Sequence, residues 1–200
     1  MNLETRLRLI VMASGLSRRF GSNKLLRHVN GRPMFQHILT LLRDFQSQRQ
    51  DTTDVVVVSA WPEILAAASK LDFYGIKNDH NERGISESIK LGLGFEGSFP
   101  AEVAAFFTAD QPFFSAQSLA DFLTEAAANK DYITCVRAGD RLGNPVAFPQ
   151  DLFPELAALS GDVGGKLVVQ RHLDRVRYVD VPATELRDID RESDLPEFSS

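Results

Sequence analysis

Two places in this sequence carry residues suited to handling a polyanion. The first is Ser14-Gly15-Leu16-Ser17-Arg18-Arg19-Phe20-Gly21-Ser22-Asn23-Lys24. It follows the apolar run Leu9-Ile10-Val11-Met12-Ala13, which reads as a buried strand of a parallel sheet. Small residues let a backbone approach a ligand closely, so its N–H groups can face an anion. Ser17, Arg18, Arg19 and Lys24 add donors and positive charge. A strand feeding such a loop suits a nucleoside triphosphate. The second place is Ala109-Asp110-Gln111-Pro112, at the end of the apolar run Val103–Thr108. A carboxylate at the C-terminal end of a parallel strand faces the crevice where open α/β sheets bind ligands. Asp is also a natural hard-oxygen ligand for Mg²⁺. The alternative role for Asp110, capping the next helix, is better filled by Ser115.

The spacing narrows the loop's chemistry. Five residues separate Gly15 from Gly21, and Lys24 lies three beyond it, so the pattern is not the Gly-x₄-Gly-Lys-Ser/Thr of a P-loop. It also lacks the Gly-x-Gly-x-x-Gly of dinucleotide binders. A basic surface loop with turn glycines is the competing reading. Three further stretches carry two readings each. Gly84-Ile85-Ser86-Glu87-Ser88 is either a plain helix cap or a helix N-terminus near a ligand. Ser160-Gly161-Asp162-Val163-Gly164-Gly165-Lys166 is either a capped helix start or an anion site. Asp188-Ile189-Asp190-Arg191-Glu192-Ser193-Asp194 is either a solvated edge or a source of a second metal ligand, Asp190. His80 has no metal-ligand spacing to another His or Cys and reads as a solvated loop residue. Trp61 reads as packing at a helix start rather than base stacking.

The elements that must position these groups alternate along the chain. Strands are expected at 8–13, 55–58, 103–108, 132–137 and 176–181, with a short strand or extended loop at 76–79. Pro33 starts a helix whose Met34, Ile38, Leu41, Leu42 and Phe45 share one face. Further helices are expected from Trp61-Pro62 to about Leu71, and at 116–128, 151–156 and 166–172. Gly139–Gly143 reads as a polar turn before Asn144-Pro145-Val146-Ala147-Phe148. Strands separated by helices indicate an α/β fold, with a mostly parallel sheet and helices on both faces.

Bulk properties agree with one globular domain over residues 1–200. Hydrophobic residues make up 44%, which excludes a disordered chain, and the net charge of −5 argues against nonspecific nucleic-acid binding. The one cysteine, Cys135, lies in an apolar run and reads as a buried strand residue. No segment approaches the ~20 apolar residues of a membrane span. The N-terminal apolar run is shorter than the ~7–15 residues of a signal-peptide core. A cytoplasmic protein without membrane or nucleic-acid partners is expected.

Met12-Ala13-Ser14-Gly15-Leu16-Ser17-Arg18-Arg19-Phe20-Gly21-Ser22-Asn23-Lys24 resembles the signature Leu-Ala-Ala-Gly-x-Ser-x-Arg-Met-Gly-x-x-Lys of nucleotidyltransferases of the sugar-nucleotide pyrophosphorylase type. Within that superfamily it is most similar to the molybdenum cofactor cytidylyltransferases. Ser14 stands for the usual second Ala, which adds a hydroxyl where the loop meets phosphate, and Phe20 stands for Met. Ala109–Pro112 resembles Gly-Asp-Gln-Pro, whose Asp holds the catalytic metal. Gly31–Met34, Gly84–Leu93, Ser160–Lys166 and Asp188–Leu195 resemble further family segments. Asn144 stands where the family often carries His, and Arg191-Glu192 replaces Thr-Pro.

The resemblance implies a Rossmann-like three-layer sandwich of the nucleotide-diphospho-sugar transferase type. It implies a Mg²⁺-dependent transfer from CTP to a molybdopterin-type acceptor, with release of pyrophosphate. Lys24, Arg19 and Asp110 would be catalytic. Ala13, Ser14, Gly15, Leu16, Ser17, Lys24, Gly84, Ser86, Ser88 and Asp110 would bind nucleotide. Gln111, Pro112, Asn144, Asp162, Gly164 and Lys166 would bind the acceptor, and Asp110 and Asp190 the metal. Other readings are GTP or another phosphorylated acceptor, a nucleotide sensor, and a noncatalytic carrier that hands the cofactor to a molybdenum hydroxylase. Asp110 opposite Lys24 favours the enzyme, because a carrier has no need of a metal carboxylate facing a triphosphate loop.

Overall fold

A computed structural model describes residues 4–15, 23–189 and 191–194. Nine strands and six α-helices alternate along them: β1 (Leu7–Ala13), β2 (His28–Val29), β3 (Arg32–Pro33), α1 (Met34–Gln46), β4 (Thr53–Ser59), α2 (Pro62–Ser69), β5 (Tyr74–Lys77), α3 (Ile85–Leu93), β6 (Val103–Thr108), α4 (Ala116–Ala128), β7 (Ile133–Ala138), β8 (Arg141–Pro149), α5 (Phe153–Ala157), α6 (Lys166–Arg171) and β9 (Val176–Asp180). Seven strands form one sheet in the order β5-β4-β1-β6-β8-β7-β9, and β2 and β3 form a small separate hairpin. Every neighbour pair in the large sheet is parallel except the two that involve β8. The mostly parallel sheet read from the sequence is therefore present.

The apolar runs explain the layering. A strand buried on both faces sends alternate side chains to opposite sides. In β1, Leu7, Leu9 and Val11 join a core with α1 and α4 residues such as Leu42 and Phe122. Ile10 points the other way, into a core with Ile89, Phe148, Leu156 and Val169. These are the two cores of a three-layer sandwich. Gly92 of α3 is needed there, because a Cβ would lie 2.5 Å from Cγ2 of Ile10. The helix can approach β1 only where that carbon is missing.

Register carries the fold into the site. Ala13 pairs with Ser59, and Met12 with Thr108, so β1, β4 and β6 end at one level. The loops that follow all leave from the same sheet edge. The structure differs from the sequence reading in detail. Pro33 is extended and precedes α1 rather than starting it. The polar turn shrinks to Gly139 and Asp140, with φ of +59° at Gly139, and β8 runs unbroken for nine residues. Cross-strand pairing with β7 outweighs the turn propensity of Arg141 to Gly143. The helix expected at 166–172 is the six-residue α6. Ser115 caps α4 as expected, its hydroxyl accepting from the Ser118 N–H. No helix among the described residues is long and apolar enough to cross a membrane.

Candidate active site

A cavity of about 440 Å³ opens at the C-terminal edge of β1 and β6. Met12, Ser14 and Gly15 line it from the end of β1, and Thr108, Ala109 and Asp110 from the end of β6. Lys24 enters from a 3-10 turn, Lys24–Leu26, whose start is capped by the Asn23 carboxamide accepting from the Leu25 N–H. Across the cavity floor the Lys24 Nζ donates to Oδ2 of Asp110 at 2.8 Å. Their side chains are only 12% and 24% exposed. Two groups that are 86 positions apart in sequence are thus brought into direct contact. In such a sheltered spot a charge-assisted bond is short and strong.

The opposite wall comes from the start of α3. Gly84 precedes the helix with φ of +88°, a conformation in which L side chains are strained. A Cβ there would also sit 2.5 Å from the Gly161 backbone. The strap carrying Asp162 therefore lies directly on the helix start, and the Ser86 N–H donates to the Gly161 carbonyl at 3.2 Å. Asp162 and Glu82 line the same cavity. Asn81 reaches back, its Nδ2 donating to the Ser14 carbonyl at 3.1 Å. Ser88 accepts from Asn78 Nδ2 at 3.2 Å.

A second cavity of about 250 Å³ shares Met12 and Ile85 with the first and extends toward β7 and β8. Here β8 departs from regular pairing. Gly143 faces Val136 and Val146 faces Cys135, which leaves Asn144 and Pro145 as two extra residues. Such a bulge re-aims side chains, and Asn144 lines the cavity together with Gly164 and Lys166. Cys135 is in the wall, 1% exposed, and burial pushes its thiol up to about 12. It is an inert wall residue, in agreement with its reading as a buried strand residue.

The expected site residues therefore separate into groups. Ser14, Gly15, Lys24, Gly84, Ser88, Asp110 and Asp162 share the first cavity. Asp162, expected beside the acceptor, stands with the nucleotide group because its strap crosses the start of α3. Asn144, Gly164 and Lys166 share the second. Ala13, Ser86, Gln111 and Pro112 line neither. Ala13 ends β1 and its carbonyl accepts from Ser59 Oγ, Ser86 is 2% exposed, and Gln111 Nε2 donates to Asp188 at 2.8 Å. The Ser14 hydroxyl is a correction: it donates into the sheet, to the Val58 carbonyl at 3.1 Å, rather than facing the cavity. Leu16, Ser17, Arg19 and Asp190 lie outside the described residues. Ile189, just before Asp190, donates its N–H to the Asp110 carbonyl at 3.2 Å.

Sequence reasoning missed Asn81, Glu82, Thr108 and Ile85 as lining residues. Asn81 and Glu82 follow His80 in a polar loop, and nothing in their spacing distinguishes them from solvated residues. Thr108 was legible in principle, as the last strand residue before Asp110. His80 is exposed as expected, and pairs only with Glu82 among the described residues.

The donors around the first cavity are hard oxygens, from Asp110, Glu82 and Asp162, with no His or Cys. That set suits Mg²⁺ or Mn²⁺ rather than zinc. No three His, Cys, Asp or Glu side chains converge among the described residues to form a metal cage.

Residues 9–176 match the family model described as "MobA-like NTP transferase domain". The chain belongs to that family. Among solved structures, Rv0371c from Mycobacterium tuberculosis H37Rv is 25% identical with a TM-score of 0.80, covering 96% of this chain and 95% of that one. Its complex with manganese aligns at 22% identity and a TM-score of 0.76, covering 95% and 96%. A nucleotidyl transferase from Methanothermobacter, Mth528, is 21% identical with a TM-score of 0.76, covering 94% of each chain. A CMP:2-keto-3-deoxy-manno-octonic acid synthetase in complex with CTP is 15% identical with a TM-score of 0.69, covering 94% and 95%. No curated protein matches the sequence. The MobA-like assignment and these neighbours agree with the nucleotide-diphospho-sugar transferase fold and make the chain a member of a nucleotidyltransferase family.

Proposed function

We propose that this protein transfers the cytidylyl group of CTP to a phosphate on a molybdopterin-type acceptor, in a Mg²⁺-dependent reaction that releases pyrophosphate. The observation that carries the reading is the Lys24–Asp110 contact at 2.8 Å across the floor of a cavity at the ends of β1 and β6. It brings a phosphate-binding cation and a metal-binding carboxylate to one point. An acceptor phosphate oxygen attacks the α-phosphorus, the bond to the bridging oxygen breaks, and the electron pair leaves with pyrophosphate. The nucleophile is already an anion, so no side chain has to be deprotonated. The chain must place two anions together and neutralise leaving charge.

Lys24 exchanges Asp110 for the β- and γ-phosphates as nucleotide enters, with Arg19 assisting. The backbone at Ser14 and Gly15 faces the phosphates, and Gly84 and Ser88 lie toward the ribose and base. Asp110 would hold the divalent ion, and Asp190 would assist; the Ile189–Asp110 hydrogen bond supports this pairing. When bound, such an ion supplies positive charge to the phosphate oxygens. The manganese complex of a structural neighbour supports a divalent cation, and the CTP complex of another supports the choice of base. Asn144, Gly164 and Lys166 would meet the acceptor.

Pyrophosphate release with Mg²⁺, for each NTP with and without molybdopterin cofactor, tests the proposal. Release only with CTP plus cofactor is expected. Release with GTP would move the base assignment. Cofactor binding without release from any NTP would replace the enzyme by a carrier.

A further inference from the structure

The second cavity differs in chemistry from the first, and the difference constrains what enters it. Its side walls are Ile89, Phe106, Val146, Phe148 and Val169, with the inert thiol of Cys135. Two carbonyls along its rim are already engaged, while the amide N–H groups of Gly164, Gly165 and Lys166 at the start of α6 have no acceptor among the described residues. The Gly164 carbonyl accepts from Leu167, the Gly165 carbonyl accepts from Val169, and Gly143 is paired with Val136 in the sheet. Gly165 packs so closely on Phe148 that a Cβ would lie 2.8 Å from its ring. The polar side chains in the lining are Asn144 and Lys166, and neither has a hydrogen-bond or ion-pair partner among the described residues. At the mouth, two large apolar side chains stay in solvent. Leu142 lines the cavity at 40% exposure, and Val163, beside the lining residue Gly164, is 39% exposed.

We infer that this cavity seats the body of the acceptor, and that this body is largely apolar, with one anionic group held by Lys166. The inference rests on the reading that a nucleotidyl group is transferred in the first cavity, with which this one shares Met12 and Ile85. An apolar body releases water from both the walls and the lips at Leu142 and Val163. A polyhydroxylated body would lay most of its hydroxyls against hydrocarbon walls, with only Asn144 and the amide N–H groups at the start of α6 as partners, and buried hydroxyls without partners are unfavourable. Sugar phosphates are thereby disfavoured as acceptors. A pterin is admitted with its ring faces against the walls and its hydrogen-bonding edge toward Asn144.

Calorimetric titration with 1-naphthyl phosphate and with glucose 1-phosphate reads this directly, CTP binding being measured on the same preparations as a check on folding. One molar equivalent of naphthyl phosphate is expected to bind, at least about tenfold more tightly than glucose 1-phosphate. Lys166→Glu, at an exposed position, should weaken it about tenfold, and Val146→Phe, which fills the cavity, should abolish it. If Val146→Phe loses CTP binding, Lys166→Glu carries the test alone. Equal binding of the two phosphates, or naphthyl phosphate binding unchanged in Lys166→Glu, would overturn the apolar site. Pyrophosphate release by the wild type alongside that failure leaves the transferase reading standing. Loss of CTP binding and of pyrophosphate release in the wild type, with the naphthyl phosphate site intact, would instead overturn the transferase reading and with it the acceptor role.

Discussion

The two cavities adjoin on one sheet but draw mainly on different halves of it. The first lies where parallel strands β1 and β6 end in register, and it is furnished with charge: Lys24, Asp110, Glu82 and Asp162. The second lies where β8 runs against its neighbours and slips register by a bulge, and its walls are mostly hydrocarbon. Parallel strands all end at one edge, so the loops that follow them bring charged groups from distant segments together there. An antiparallel strand brings its own side chains past the same edge, so its walls come from strand faces. On the proposed function, one half would handle phosphate while the other would select shape and apolarity.

The strongest way to break this comparison is to exchange the burdens of the two halves. Asp110→Asn or Lys24→Ala should lower turnover by about 10³-fold, since on the proposed function each removes charge that would act on the transferring phosphates. Lys166→Ala should instead raise the KM for acceptor about tenfold, with turnover changed far less. Steady-state pyrophosphate release separates the two. A turnover loss at Lys166 equal to that at Lys24 would dissolve the distinction. The next effect is on stability. Gly84→Ala places a Cβ at φ of +88° and 2.5 Å from backbone of Gly161, and should cost about 2–3 kcal/mol in urea denaturation. Gly164→Ala meets only the Ile85 side chain at 3.7 Å and should stay within about 0.5 kcal/mol.

The difference between the halves also governs what could be read from sequence. The buried runs Leu9–Ala13 and Val103–Thr108 betray parallel strands, and the residues that end them are ready-made site candidates. Lys24 and Asp110 were legible for that reason, and the structure puts them in contact. Of the second cavity only Asn144, Gly164 and Lys166 were legible, through the family resemblance; its walls were not. Ile89, Phe106 and Phe148 are ordinary core residues by pattern, and only the register shift at Asn144 and Pro145 leaves room beside them. The Ser14 hydroxyl misled because a loop-side Ser and a sheet-side Ser look the same in sequence. Its partner, the Val58 carbonyl, is supplied by a strand 44 positions away. The same holds for Gln111, which is drawn off by Asp188, 77 positions downstream.

Polar groups sharpen the comparison at smaller amplitude. Ser14→Ala removes a buried hydrogen bond in the parallel half and should cost about 1 kcal/mol. Asn144→Ala removes an amide with no partner among the described residues and should be neutral within about 0.5 kcal/mol. Thermal or urea unfolding of the two variants measures both, and equal losses would contradict the difference in pairing.

The smallest expected effect is a pH dependence confined to the segment that carries Lys24. His37 of α1 sits on the β2–β3 hairpin, with Nε2 2.9 Å from the Val29 carbonyl. Burial holds its imidazole below the ordinary 6.5, against the pull of the Val29 carbonyl, and the charge of Arg32 pushes the same way as burial. As pH falls below 6.5 the unfolded chain therefore takes up a proton that the folded chain resists. The stability His37 contributes is complete above 6.5 and declines as pH falls toward its lower folded value. His37→Gln keeps a donor for the Val29 carbonyl and removes the titration. Urea midpoints at pH 7.5 and 5.5 should thus differ less in the variant than in the wild type. An equal difference in both proteins would show that the acid sensitivity of the first half arises elsewhere.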